Sequence, residues 1–334
     1  MYIELNKLDF HLFAVDLNTN TTGQTGLNQD LSAEMKTFYD KALIKCAEPE
    51  LVHDQFGQKR PIPKGSGKKI EFRKFSSLPK AMEALTEGVT PKGSKYNVSK
   101  IEATVEQYGA YIAVSDMLLL TAFDNNMKEI VTLLGSQAGR TSDSITRNVL
   151  VAGTNVLFAG TKASRATIEA ADVLTVADIK KGVRALKAAN TPRIDGYYVA
   201  IVHPDTVYDL WNDKEWIEAS KYAGSEQIFK GEIGKMYGVR FVESTEAKIW
   251  DKTAGSLKTN VYATLMLGAN AFGVTSINGG GVETIAKQLG SGGTEDPLNQ
   301  RATFGWKLNK TATILTQEFM LRIEHAASIS SAAN

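Results

Sequence analysis

Four histidines stand at positions 11, 53, 203 and 325, and one of them has neighbours that could do acid–base work. His203-Pro204-Asp205 follows the apolar run YYVAIV, so an imidazole and a carboxylate would meet where a strand hands over to a helix. A histidine beside a carboxylate is a general-base arrangement. The same residues equally suit a polar cap on the helix that Pro204 opens. His53-Asp54 is a second pair, with no nucleophile near it in the sequence, and reads as a surface pair. No two histidines share a metal-ligand spacing with each other or with Cys46, and His-Glu-x-x-His is absent.

The other candidate motifs fail on spacing. Gly65-Ser66-Gly67-Lys68-Lys69 invites a phosphate-loop reading, but the motif's first glycine would fall on Ile62, and Lys69 stands where Ser or Thr is required. Gly65-Ser66-Gly67 also lacks the spacing and context of a serine nucleophile elbow. Gly231-x-x-Gly234 has neither the third glycine nor the preceding strand of a dinucleotide fingerprint. Cys46 lies on an apolar helical face and is expected to be a buried thiol. The expectation is a chain with no catalytic residues, no metal and no cofactor.

Composition narrows the class further. The 334 residues are 43% hydrophobic and 22% charged, which fits a folded globular protein and excludes wholesale disorder. Thirty-eight basic residues against thirty-seven acidic ones give a formal charge of +1, against the basic excess of a dedicated nucleic-acid binder. A single cysteine excludes an intrachain disulfide framework and fits a reducing compartment. Glu4, Lys7 and Asp9 interrupt what would have to be a signal core, and the longest charge-free stretch, Thr259 to Val282, is broken by Asn, Thr, Ser and glycines. A soluble protein made in the cytosol, without a membrane segment, is expected.

The elements that would carry these residues follow from periodicity. Residues 16–30 are polar and cannot bury enough apolar surface to offset their ordering entropy, as in an arm that orders on a partner. Ser32 caps a helical pattern through Cys46 that Pro49 stops. Residues 58–75 hold seven basic residues, Lys59, Arg60, Lys64, Lys68, Lys69, Arg73 and Lys74, against Glu71 alone. Their turn residues predict a two-stranded hairpin with a basic tip. An isolated hairpin is marginal in water, so it should lean on something outside itself. Residues 98–114 alternate as strand. Apolar spacing of three and four then predicts one helix from Asp124 to Ala152, roughly 43 Å long at about 1.5 Å per residue and ended by Gly153. Thr175 and Asp178 predict a capping box for the next helix, Tyr197–His203 a strand, and Pro204 a further helix. The last hundred residues read as strands at 261–267, 282–289, 304–308, 312–315 and 319–325, the last half-buried.

Several strings then carry a resemblance. FGQKRPIPKGSGKKIEFRKF, LTEGVTP (85–91), QYGAYIAVSDML (107–118), GEIGKMYGVRFVES (231–244) and DPLNQRATFGWK (296–307) fall in order across the chain. They resemble the major capsid family of tailed bacteriophages typified by the podophage of the N-four type. The resemblance runs from about Leu31 to His325.

It implies an α+β chain with the Hong Kong ninety-seven-type coat fold. Residues 1–57 would be an N-terminal arm and helix, 58–80 an extended loop, 81–169 a peripheral domain with its spine helix at 124–152, 170–285 an α/β axial domain, and 286–334 strands returning to the peripheral domain. Lys59, Arg60, Lys64, Gly65, Gly67, Lys68, Lys69, Arg73 and Lys74 would touch a neighbouring subunit. The glycine-rich stretches 278–281 and 290–293 suit adjustment between pentamer and hexamer settings. The implied function is a structural shell subunit that self-assembles into pentamers and hexamers around double-stranded phage DNA in the bacterial cytoplasm. Its further partners would be a scaffolding protein, a portal and minor capsid or decoration proteins. Some relatives join subunits through Lys–Asn isopeptide bonds, but no Asn or Glu partner for Lys64, Lys68 or Lys69 stands out, and no cross-link is expected. Three rivals remain: an encapsulin-like shell around a cargo enzyme, a cytosolic α/β enzyme using His203 and Asp205, and a nucleic-acid binder using the basic hairpin.

Overall fold

The computed structural model describes residues 43–47, 51–62, 68–75, a few positions between 78 and 93, then 95–121, 126–222, 234–252, 257–276, 282–291 and 296–331. The polar stretch 16–30, most of the helix expected behind Ser32, the residues Lys64, Gly65, Gly67, Asp124 and Gly231, and the stretch 278–281 lie outside them.

Asn126–Val151 forms the long helix that the periodicity predicts. Its apolar stripe serves two cores. Val131, Leu134 and Ala138 pack with Val114, Phe304, Trp306 and Leu308, while Leu150 packs with Ile201, Leu265, Phe272 and Met320. One helix therefore ties two separately buried regions together. The helical segment 43–47 crosses it at Gly135, where a Cβ would lie 2.7 Å from the Cys46 Cβ and 2.9 Å from the Leu43 carbonyl. Only glycine admits that approach. Cys46 itself is half-buried there rather than fully buried.

The strands, in chain order, are β1 (Gln58–Arg60), β2 (Lys69–Phe75), β3 (Val98–Thr104), β4 (Glu106–Ser115), β5 (Val156–Phe158), β6 (Tyr198–Val202), β7 (Lys235–Met236), β8 (Val239–Glu243), β9 (Ile249–Trp250), β10 (Val261–Leu267), β11 (Phe272–Thr275), β12 (Val282–Lys287), β13 (Arg301–Lys310), β14 (Ala312–Ile314) and β15 (Met320–His325). A mixed sheet runs β5-β15-β10-β6-β8-β7, with β9 added to β10. Helices Val176–Ala188 and Pro204–Trp211 cover one face through Ile179, Val183, Leu186, Val207 and Leu210, and the end of the long helix covers the other. A second sheet, β12-β13-β4, presents Val114, Phe304, Trp306 and Leu308 to the long helix. Two small sheets complete the described chain: β1-β11-β14, and the β2–β3 ladder.

Two expectations change here. Among the described residues, 58–62 and 68–75 do not pair with one another. β1 lies parallel to β11, with Gln58 opposite Gly273, and β2 pairs antiparallel with β3, from Lys69–Thr104 to Phe75–Val98. Alternation identified the strands, but pairing is settled by which buried faces meet. Strand β15 is buried along its whole length rather than half-buried, because both of its edges are paired and both faces are covered. β15 sits within the mixed sheet between β10 and β5, and β12 pairs with β13 beside the long helix.

Candidate functional site

His203 is placed by the β6-to-helix junction and is only 8% exposed. Its Nδ1 accepts the Asp205 backbone N–H at 3.2 Å, so the imidazole caps the helix that Pro204 opens. Burial pushes its pKa down, and the nearby Asp205 carboxylate opposes that shift. Asp205 is itself engaged by the Tyr262 hydroxyl, which donates at 2.7 Å and accepts from the Ser331 N–H at 2.8 Å. Tyr262 stacks on His325, whose Nδ1 donates to the Ala326 carbonyl at 2.8 Å and whose Nε2 accepts from the Thr264 hydroxyl at 2.9 Å. Full burial lowers His325 to about 4. Each group has a structural partner, and the cluster fastens residues 328–331 to the sheet. Asp209 contributes by accepting from the Ser328 N–H and hydroxyl. This is capping and latching, with no nucleophile in reach of the imidazole among these contacts.

His53-Asp54 is the clearer departure from the sequence reading. Both residues are buried, not a surface pair. His53 bonds Asp143 of the long helix through its backbone N–H at 2.7 Å and its Nδ1 at 2.6 Å. Asp54 accepts from the Ser142 hydroxyl at 3.0 Å, the Thr146 hydroxyl at 2.5 Å and the Lys310 ammonium at 2.5 Å. Ser142, Asp143 and Thr146 line one face of the long helix, and Lys310 ends β13, so the cluster bolts three distant segments together. A buried charge survives only when paired and hydrogen-bonded in this way. Sequence reasoning could not see it, since Asp54 and Lys310 are 256 residues apart.

The basic segment is divided by the fold. Lys59 and Arg60 project from β1 beside β11, whereas Lys69, Arg73 and Lys74 lie on β2 with Lys68 just before it. On β2–β3, Ile70, Phe72 and Ala103 form the buried face, against Ile62, Val105 and Leu315. Phe72 fits over Gly273 of β11, where a Cβ would lie 2.3 Å from its ring. On the other face Lys69 bridges Glu102 at 3.0 Å, and Lys100 bridges Glu102 at 2.9 Å and Glu71 at 3.4 Å. Hydrogen bonds from Lys100 and Lys69, backed by their charge, hold the Glu102 carboxyl down at about 2. Beyond the ladder the chain shows large apolar side chains to solvent, Leu78, Met82 at 84% exposure, Val89 and Tyr96 at 71%, and Val98 is exposed at the end of the ladder itself. The sequence reading centred on the basic residues and missed these, although Leu78, Val89, Tyr96 and Val98 stand among polar neighbours.

An element that buries one face against its own chain and leaves apolar side chains bare at its far end is a contact surface rather than a reaction site. The family comparison agrees. A family model described as phage capsid protein matches residues 98–320, well over half of the chain. The chain belongs to that family. It is a structural major capsid protein of a phage, it resides in the virion capsid, and it associates with further copies of itself. No curated protein matches its sequence.

Solved structures show the same fold at low identity. The capsid of Ralstonia phage GP4 is 14% identical, with a TM-score of 0.64 over 84% of this chain and 89% of that one. The cyanophage Pam1 capsid is 15% identical, with a TM-score of 0.62 over 85% and 93%. The acid-stable capsid of Helicobacter pylori bacteriophage KHP30 is 10% identical, with a TM-score of 0.59 over 97% and 100%. The mixed α/β architecture expected from the sequence is therefore that of phage capsid subunits.

Proposed function

We propose that this capsid protein builds an icosahedral shell of pentamers and hexamers around double-stranded DNA, of the Hong Kong ninety-seven type and similar to those of the N-four-type podophages. The strings quoted above support the finer placement. The observation that carries the assembly reading is the β2–β3 ladder with its bare apolar end at Leu78, Met82, Val89, Tyr96 and Val98. A two-stranded ribbon is marginal by itself, and obligate interfaces commonly bury about 2,000–5,000 Å². The ladder contributes part of that area when it lies across a neighbouring subunit. The reaching element is then built on Lys69–Phe75 and Val98–Thr104, and Lys68, Lys69, Arg73 and Lys74 flank the contact while Lys59 and Arg60 stay at its root. The region around the long helix with β4, β12 and β13 acts as the peripheral domain, and the mixed sheet as the axial one. Assembly takes place in the bacterial cytoplasm with a scaffolding protein, portal and minor or decoration proteins, and the inner face meets DNA without sequence preference.

Expressed with the other head proteins of its phage, the wild-type chain should give closed shells, or rings of five and six, in negative-stain micrographs. The double variant Tyr96→Asp/Val98→Asp should remain folded by circular dichroism but sediment as small species. Shells formed equally well by the variant would remove the hairpin from the interface.

A further inference from the structure

The helix Val176–Ala188 divides its charge sharply. Val176, Ile179, Val183 and Leu186 are held in the core of the mixed sheet, which aims Lys180, Lys181, Arg184 and Lys187 outward along the opposite side. From Lys180 to Lys187 is about 10 Å at about 1.5 Å per residue. An open groove of about 530 Å³ runs beside this row, lined by Lys180, Val183, Arg184, Lys187, Ala188 and Tyr237. No acidic residue lines it. Tyr237 is 48% exposed, and the Lys180 Nζ sits 4.7 Å from its ring centroid. Lys180 also pairs with Glu215, and Lys181 with Asp178 at 2.8 Å, both with lysines 42–49% exposed. Such surface pairs are weak and exchange readily. Arg184 and Lys187 have no carboxylate partner among the described residues.

We propose that this helix face and its groove form a nucleic-acid backbone contact, the place where this capsid protein touches the DNA it encloses. The proposal rests on the shell reading above. In a chain with a formal charge of only +1, a one-sided row of four cations, two of them in surface pairs with Glu215 and Asp178 and two without a carboxylate partner among the described residues, leaves a local positive field. One strand of B-DNA places a phosphate every 3.4 Å along the axis, so the row spans about three phosphates. Backbone contacts of this kind carry no sequence information. The β2–β3 ladder differs in that Glu71 and Glu102 lie on the same face as its Lys69, Arg73 and Lys100.

Fluorescence anisotropy of the full-length chain with a short mixed-sequence duplex, titrated at several salt concentrations, tests this. Binding should weaken as salt rises. Arg184→Gln/Lys187→Gln should lower the magnitude of the log–log salt slope by about 1.8, the value for two lost phosphate contacts, while Arg73→Gln/Lys74→Gln leaves the slope unchanged. Circular dichroism checks that both variants fold, which the exposed Arg73, Arg184 and Lys187 and the half-buried Lys74 should permit. Absent binding, equal slopes for wild type and helix variant, or a loss confined to the β2 variant would overturn the proposal. So would tighter binding of poly-glutamate than of duplex, lost in the helix variant, since that marks an acidic protein partner. Micrographs of the wild type judge the shell reading independently of these outcomes.

Discussion

The mixed sheet and the β2–β3 ladder sit at opposite ends of self-sufficiency: β10 reads VYATLML, whereas β2 alternates apolar and charged residues as KIEFRKF. Strand β10 has partners on both edges and helices over both faces, and all seven of its residues are buried. β2 has one partner and one covered face, and the outward charges of the ladder, Lys69 on β2 at 67% exposed and Lys100 on β3 at 60%, remain in water. The number of neighbours, rather than strand propensity, decides which region stands alone. On the assembly proposed above, the missing neighbours are other subunits, and the poorly supported ladder is the segment that assembly completes.

The largest test of that contrast lies in the bolt under the self-sufficient region. Lys310→Met would leave Asp54 buried without its counter-charge, and chemical denaturation of the unassembled chain should show a loss of about 3–5 kcal/mol. A loss below about 1 kcal/mol would mean that the cluster is not holding these segments together.

Next comes acid. The folded chain keeps His325 neutral down to about 4, whereas the unfolded chain takes up the proton near 6.5. The unfolded state thus binds more protons between those values. Stability from this group is complete above about 6.5 and is lost as pH falls through about 4, by about 3 kcal/mol in all. His325→Gln should flatten the slope of unfolding free energy across that window; an unchanged slope would show that other groups set it.

The smallest effect is expected on the ladder. Glu102→Gln removes the acceptor shared by Lys69 and Lys100, yet should leave the unfolding midpoint of the unassembled chain unmoved, because exposed ion pairs contribute little. A clear fall in that midpoint would show that the ladder is structurally independent of any neighbour.

Local patterns were legible residue by residue. The three- and four-residue spacing predicted the long helix to within two residues at each end, 124–152 against 126–151. The Thr175 cap accepts the Asp178 N–H as its spacing implies, and β6 and the Pro204 helix fall where their signals place them. Non-local facts were not legible. β1 found its partner in β11, more than two hundred residues on, and β2 found β3 rather than β1. His53-Asp54 has the look of a loop pair until Asp143 and Lys310 arrive.

Helix and strand periods, caps, turn residues and the absence of a catalytic spacing follow from contacts between residues close in the chain, so the sequence by itself determined them. Quoted strings across the chain carried the family resemblance in the same local way. Which strands pair, which polar groups are buried and which apolar side chains are left for another subunit depended on the tertiary structure. Each is a choice among many distant partners, and the energies that select them, from burial, packing and paired charge, exist only once those partners are brought together.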